Sequence, residues 1–133
     1  MTIQPHRTIR FSFGDSPAMA DALLGLVIGG VKTATCGAAR DFEPGKAEPP
    51  VVGRQDIVLD GAGRDRAVIE TVEVTHRRFS EIDERFARDE GEGLLTLADW
   101  RAGHRTYFER NGGWSDDMML ICERFRLVEV LPQ

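Results

Sequence analysis

Apolar and polar residues alternate along some stretches of the chain and recur at helical spacing along others. Residues 9–13 alternate, which is typical of a short strand. Between residues 17 and 28 the apolar positions recur at intervals of three and four, which predicts an amphipathic helix. Its start is signalled by Ser16 and the proline that follows, and its end by the two glycines at positions 29 and 30.

Strand-like runs dominate the middle and the end of the chain. Residues 56–59 and 66–76 are separated by a glycine-rich turn signal, which predicts a hairpin. Residues 118–131 are rich in Leu, Ile, Val and Phe and predict a long closing strand.

Two cap signals lie between the hairpin and the closing strand and predict two further helices. The four residues that start at Ser80 resemble a capping box, which predicts a helix over residues 80–88. Thr96 opens the next helix, in which Trp100, His104 and Phe108 are spaced by four and should share one face.

This order of elements predicts an α+β fold. The predicted elements follow one another as β-α-β, a hairpin, two helices and a closing strand. Because most strands connect without a crossover helix, we expect a mixed β-barrel of about five or six strands with helices around it. The 133 residues fit a single domain that spans residues 1–133.

Composition and charge indicate which partners the protein can bind and where in the cell it is expected. The net charge of −5 disfavours a protein that grips long duplexes through their phosphates, but it is compatible with a nucleoside or single-stranded RNA. No apolar run approaches the ~20 residues of a membrane span. Residues 1–10 lack the apolar core of a signal peptide, so we expect a cytoplasmic protein with reduced Cys36 and Cys122.

The sequence predicts neither a metal site nor a cofactor. It contains no glycine-rich phosphate loop of the GxxxxGK[ST] or GxGxxG type. The histidines His6, His76 and His104 lie far apart in the chain, and neither cysteine belongs to a CxxC pair.

The densest group of chemically useful side chains follows the glycines that end the first helix: Lys32, Thr33 and Thr35. On a flat strand Lys32 and Thr35 would face opposite sides, so they can cooperate only if the backbone turns. Of 17 basic residues only Lys32 and Lys46 are lysines, and a desolvated lysine, unlike an arginine, can lose its proton. The structural alternative is that Lys32 caps the helix.

Glu90 and Glu92 lie in a loop between the second and third predicted helices. A buried carboxylate there is a candidate general acid or base, and a solvated acidic loop is the alternative. His104 shares an apolar face with Trp100, so it is either a hydrogen-bonded core residue or the wall of a pocket with Trp100 as its floor. Further along, Trp114 either stacks on a base or covers the barrel end, and Arg40 contacts a ligand or lies on the surface.

Three segments, in the same order, resemble the ASCH domain family. Residues 30–35, with the letters GVKTAT, resemble the family's G-x-K-x-x-T signature. The remaining segments lie further along the chain: residues 86–87 with 90–93, and Trp100, His104 and Phe108 with residues 118–125. Together they cover nearly the whole chain.

The resemblance implies a PUA-like β-barrel and a cleft lined by the signature loop. The family is thought to bind RNA or nucleosides, and one of its members cuts RNA. Some bacterial members hydrolyse the acyl amide of N4-acetylcytidine with a lysine, a threonine and a glutamate. Carried over to this chain, these residues are Lys32, Thr35 and Glu90, with Glu92 as the alternative glutamate.

Such a trio is chemically coherent for amide hydrolysis. A neutral Lys32 would take a proton from Thr35 or from water, and the glutamate would pass a proton to the leaving nitrogen. The alternative is a non-catalytic binding module, in which Lys32 and Arg40 contact phosphates or base edges. The predicted substrate contacts are Thr33, Arg40, Glu92, Trp100, His104 and Trp114.

Overall fold

The computed structural model describes residues 8–93 and 96–132, so His6 lies outside the described residues. Within these ranges the chain forms five strands and three helices. The strands are β1 (Arg10–Phe11), β2 (Ala34–Ala38), β3 (Gln55–Leu59), β4 (Asp65–Arg78) and β5 (Met119–Val130). The helices are α1 (Pro17–Ile28), α2 (Glu84–Asp89) and α3 (Leu97–Arg110).

The five strands form one mixed sheet in the order β1-β3-β4-β5-β2. β1 pairs with β3 in parallel, and the other neighbours are antiparallel. The α+β class and the number of strands are as predicted. In the described structure the edge strands β1 and β2 do not pair with each other, so the sheet is open and the term barrel describes it only loosely.

Helix α1 has the bounds that its cap signals predict. The Oγ atom of Ser16 accepts a hydrogen bond from the backbone N–H of Met19 at 3.1 Å. At the other end Gly30 has a φ of +77°, which glycine adopts without a Cβ clash. Gly30 N–H bonds to the Val27 carbonyl, and Val31 N–H bonds to the Leu26 carbonyl, which together form a Schellman motif.

The N-cap of helix α2 lies three residues later than predicted. This residue is Asp83, whose carboxylate accepts from the Phe86 N–H at 2.8 Å. The predicted cap, Ser80, lies in a short 3-10 turn instead, because its own N–H bonds to the Asp116 carbonyl. Helix α3 starts at its predicted cap, where Thr96 accepts from the Asp99 N–H at 3.1 Å.

Two apolar clusters hold the sheet and the helices together. The first packs α2 and α3 against β2 and β5, with Phe79, Phe86 and Trp100 fully buried at its centre. The second packs α1 against β3, β4 and β5 around Val27, Val58, Ile69 and other residues. Within α3 the predicted face is confirmed, since Trp100 and Phe108 are buried and His104 is half-buried.

None of the described helices combines the length and the apolar character that crossing a bilayer requires.

Candidate functional site

The backbone brings the segment after α1 against the acidic loop. Thr33 N–H bonds to the Asp89 carbonyl at 2.8 Å, and the Thr33 carbonyl accepts from the Phe125 N–H at 3.0 Å. Gly91 has a φ of +68°, and a Cβ there would clash with the Val31 carbonyl. A glycine is therefore required where the two segments touch, and this contact presents Lys32 to the glutamates on either side of Gly91.

Lys32 is a buried cation, with 1% of its surface exposed. Its Nζ atom donates to the Ala34 carbonyl at 2.9 Å, the Glu90 carbonyl at 3.3 Å and the Glu92 Oε2 atom at 2.6 Å. None of these Nζ partners is a carbonyl group of α1, so the alternative that the Lys32 side chain caps that helix is wrong. The three N–H groups of an ammonium match these three acceptors.

Glu90 is equally buried and lies at the centre of a second set of bonds. Its Oε1 atom accepts from Trp100 Nε1 at 2.5 Å and lies 3.0 Å from His104 Nε2. Its Oε2 atom lies 3.8 Å from Lys32 Nζ. The His104 ring stacks on the Trp100 indole, with ring centroids 4.1 Å apart, and its Nδ1 atom lies 3.0 Å from the Trp100 carbonyl.

Glu90 and His104 stabilise each other's charged form. Burial, the largest influence on both, raises the pKa of Glu90 and lowers that of His104. The hydrogen bond between them and the neighbouring charges outweigh burial. The pKa of Glu90 therefore lies below its usual value and the pKa of His104 lies above it. The contacts also favour a charged His104, because both of its ring nitrogens face acceptor oxygens and the doubly protonated ring donates to both.

Cys36 lies beside this pair, with its Sγ atom 4.0 Å from Glu90 Oε1. Burial, reinforced by the negative charge of Glu90, raises the pKa of the Cys36 thiol well above its usual value. The thiol therefore stays protonated, which argues against Cys36 as a thiolate nucleophile.

A cavity of about 270 Å³ opens onto these side chains. Thr35, Cys36, Glu90, Glu92 and His104 line it. The structure thus brings Thr35, Glu90 and Glu92 to one cavity, as the sequence predicts. Lys32 is not among the described residues of the cavity wall. It is connected to the cavity through its bond to Glu92.

A second cavity of about 510 Å³ adjoins the first, since Thr35, Cys36 and Tyr107 line both. Its wall is largely apolar but also carries three buried ionic residues that sequence reasoning missed: Arg54, Asp56 and Glu123.

Arg54 and Asp56 form a bidentate pair, with nitrogen–oxygen distances of 2.7 and 3.0 Å. Glu123 lies opposite Thr35 on β5, and its Oε2 atom lies 2.5 Å from Thr71 Oγ1. Burial, together with the charge of Asp56, raises the pKa of Glu123. A polar residue at an inward position of a strand was the available signal for Asp56 and Glu123, but it does not identify their partners.

Three residues predicted to contact the substrate lie outside both cavities. Thr33 is exposed and its hydroxyl donates to the Asp89 carbonyl at 3.3 Å. Arg40 donates to the Gly113 carbonyl at 2.7 Å, which ties the loop after α3 to the segment that follows β2. Trp114 packs edge-on against Phe79, with ring centroids 5.6 Å apart.

Trp100 also lies away from both cavities. It is fully buried and belongs to neither cavity wall, so it reaches the site only through its bond to Glu90. His104, by contrast, lines the first cavity as predicted.

An open mixed sheet with three helices and a buried lysine at one cavity defines an α+β domain of the PUA-like kind. A family model described as the ASCH domain matches residues 9–129. The chain therefore belongs to the ASCH domain family. No curated protein matches its sequence significantly.

Solved structures agree with this assignment. Protein EF3133 from Enterococcus faecalis V583 is 32% identical, with a TM-score of 0.83 over 93% of this chain and 77% of its own. The ASCH domain from Lactobacillus crispatus JV V101 is 27% identical, with a TM-score of 0.82 over 90% of this chain and 79% of its own. ZmASCH from Zymomonas mobilis, solved as a mutant protein, is 11% identical, with a TM-score of 0.57 over 92% of this chain and 73% of its own, and shares the fold alone.

Proposed function

We propose that this ASCH domain hydrolyses the acyl amide of a modified nucleoside such as N4-acetylcytidine. The observation that carries the proposal is that Thr35 and Glu92 line one cavity and that Glu92 is bonded to the buried Lys32. These residues are separated by up to 60 positions in the chain, yet Lys32 and Glu92 are bonded at 2.6 Å and both Thr35 and Glu92 line the cavity. The G-x-K-x-x-T signature supports the same assignment.

Glu92 suits the role of proton carrier better than Glu90. The Oε1 atom of Glu90 is engaged by Trp100 and His104, and its Oε2 atom faces Lys32. The side chain of Glu92 is 19% exposed, whereas that of Glu90 is 2% exposed. We therefore assign proton transfer to Glu92 and assign to Glu90 the positioning of His104.

The proposed reaction begins when a bound amide excludes water from the cavity. One Nζ proton of Lys32 moves to Glu92, and the resulting amine takes the hydroxyl proton of Thr35. The Thr35 oxygen attacks the carbonyl carbon. Glu92 then gives its proton to the leaving nitrogen as the C–N bond breaks. Water hydrolyses the acyl-threonine ester and restores the starting charges.

The two adjoining cavities fit an acylated nucleoside. With the amide at Thr35, the acyl group occupies the smaller cavity and the nucleoside extends into the larger one, where Tyr107 and Phe42 supply aromatic surface. Their volumes suit a small ligand and not a duplex, in line with the net charge of −5.

Chromatography of acylated cytidines incubated with the protein tests this function. We expect release of the deacylated nucleoside by the unmodified protein and loss of release in Thr35→Val. The matched control is Thr33→Val, since Thr33 is exposed and lies outside both cavities. Equal turnover by Thr35→Val would exclude Thr35 as the nucleophile.

A nucleoside-binding module is the second candidate function. It is favoured by the complete hydrogen bonding of Lys32, whose three N–H groups already have acceptors. The same incubation separates the two functions, because a binding module would bind cytidine and leave acylated cytidines intact.

A further inference from the structure

We propose that Cys36, Glu90 and His104 form a binding site for a divalent transition metal ion of the Zn²⁺ type. The inference goes beyond the proposed hydrolysis, which assigns proton transfer to Lys32 and Glu92. One ligand atom from each of the three side chains lies within 4.8 Å of the others.

Two of the spacings between these atoms are close to those of a tetrahedral site, and the third is within 4.8 Å. His104 Nε2 and Glu90 Oε1 are 3.0 Å apart, and Cys36 Sγ is 4.0 Å from the same oxygen. A tetrahedral zinc ion, about 2.3 Å from sulfur and about 2.0–2.1 Å from nitrogen or oxygen, holds its ligands roughly 3.3–3.6 Å apart. A small shift of the three side chains toward a common centre reaches that geometry.

The surroundings orient the ligands as zinc-binding sites do. A metal-binding histidine commonly donates its other N–H to a carbonyl group, which fixes the ring. Here His104 Nδ1 faces the Trp100 carbonyl at 3.0 Å and directs Nε2 at Glu90. The Trp100 indole supports the carboxylate in the same way through its 2.5 Å bond.

All three ligands line the smaller cavity, so an ion has a route of entry. Three protein ligands leave the fourth position of a tetrahedral ion for water or a substrate oxygen. The Lys32 ammonium has the same sign of charge as the metal ion and lies 3.8 Å from Glu90. It is already paired with Glu92 at 2.6 Å. A thiolate, a carboxylate and an imidazole suit Zn²⁺ and Co²⁺ better than Mg²⁺ or Ca²⁺.

Binding replaces the Cys36 thiol proton and the His104 Nε2 proton by the ion, because metal ligands must be deprotonated. Two protons are thus released for each ion bound, and the net charge of the buried cluster is unchanged. No local spacing in the sequence indicates this site, because its ligands come from β2, from the end of α2 and from α3.

Titration of the chelator-treated protein with Co²⁺ tests the inference independently of any catalytic activity. We expect visible absorption bands of tetrahedral cobalt and a near-ultraviolet sulfur-to-cobalt band, both saturating at one ion per chain. Added Zn²⁺ should bleach both bands.

Variants then assign the ligands. Cys36→Ser should abolish the sulfur-to-cobalt band, and His104→Ala should weaken binding by more than the roughly 10–100-fold cost of losing an outer-shell partner. The matched controls are Cys122→Ser, since Cys122 lies directly opposite Cys36 on β5, and His76→Gln on exposed β4 surface. Circular dichroism of each variant checks that it is folded.

The inference is overturned if the folded protein gives no sulfur-to-cobalt band. It is also overturned if the band survives in Cys36→Ser or is lost equally in Cys122→Ser. Hydrolysis of acylated cytidines plays no part in these outcomes, so the metal site and the proposed function stand or fall separately.

Discussion

Two buried ionic clusters of this domain are built in different ways. The lysine cluster consists of Lys32, Glu90, Glu92 and His104, which come from distant segments and meet only in the folded chain. The arginine cluster is centred on Arg54 and Asp56, which are two residues apart and bonded twice. Both clusters bury charge, but only the first gathers it from across the chain.

The difference indicates where chemistry is to be expected. Arg54 and Asp56 satisfy each other locally, and a bidentate pair of this kind holds its own geometry. In the lysine cluster one cation faces two carboxylates, and one carboxylate also faces a histidine. Groups that compete for protons in this way are typical of functional sites.

Removing the cation of the lysine cluster should have the largest effect on stability and on hydrolysis. Lys32→Met leaves the buried Glu90 and the partly exposed Glu92 without their cation, which costs about 3–5 kcal/mol of unfolding free energy. Hydrolysis should be lost as well. Urea unfolding measures the first effect. Lys46→Met is the control, because Lys46 is exposed and its pairing with Glu43 at 3.5 Å contributes little; equal destabilisation by both variants would contradict the account.

Removing the cation of the arginine cluster should cost less. Arg54→Met leaves one carboxylate, Asp56, without its partner, so we expect about 3 kcal/mol, the lower end of the range for a broken buried pair. Because the bonds and ion pairs of Arg54 in the described structure go to Asp56, Pro49 and Glu48, and not to Lys32 or Glu92, the folded variant should keep its kcat for acylated cytidine. A loss of kcat as complete as that of Lys32→Met would remove the distinction between the clusters.

Trp100→Phe tests the support of Glu90 by its hydrogen bond. The change keeps an aromatic ring in the core but removes the indole N–H that Glu90 Oε1 accepts at 2.5 Å. Loss of one donor to a buried charged group costs about 1–3 kcal/mol. Urea unfolding of Trp100→Phe, of Glu90→Gln and of the double variant measures the coupling. Strict additivity of the two changes would exclude an energetic role for this bond.

Glu123→Gln should have the smallest effect, visible mainly as a change in pH dependence. Burial raises the pKa of Glu123 in the folded protein, so the folded state binds its proton more tightly than the unfolded state. This contribution to stability is fully present below the unfolded pKa of about 4.3 and is lost as pH rises through the folded pKa. As the pH rises through that range, the unfolding free energy of the unmodified protein should therefore fall relative to that of Glu123→Gln. Parallel curves for the two proteins would contradict the sign.

Local signals in the sequence predict much of the fold. Ser16 and Thr96 cap their helices, and paired glycines end α1, because these interactions involve neighbouring residues. The predicted start of α2 was wrong because a distant group, the Asp116 carbonyl, binds the Ser80 N–H. The open edge of the sheet likewise depends on which distant strands pair.

The candidate site was predictable only in part. Local patterns singled out Lys32, both glutamates and His104, and the resemblance to the ASCH family added the catalytic roles of Lys32 and the glutamates. The contacts of Arg40 and Trp114 were not predictable, because their partners, the Gly113 carbonyl and Phe79, are tertiary neighbours that no local pattern reveals. The proximity of Cys36, Glu90 and His104 was not predictable for the same reason.

The central claim is that Lys32 transfers a proton during hydrolysis, and Lys32→Arg tests it most directly. Arginine keeps the positive charge but does not deprotonate in a protein. Release of cytidine from N4-acetylcytidine should be abolished in Lys32→Arg, while Lys46→Arg, a change at an exposed site, retains the rate of the unmodified protein. Binding of cytidine to folded Lys32→Arg, measured by calorimetry, checks that the cavity is intact. Full hydrolysis by Lys32→Arg would contradict the proton-transfer role, and intact acylated cytidine with the unmodified protein would contradict the hydrolase function itself.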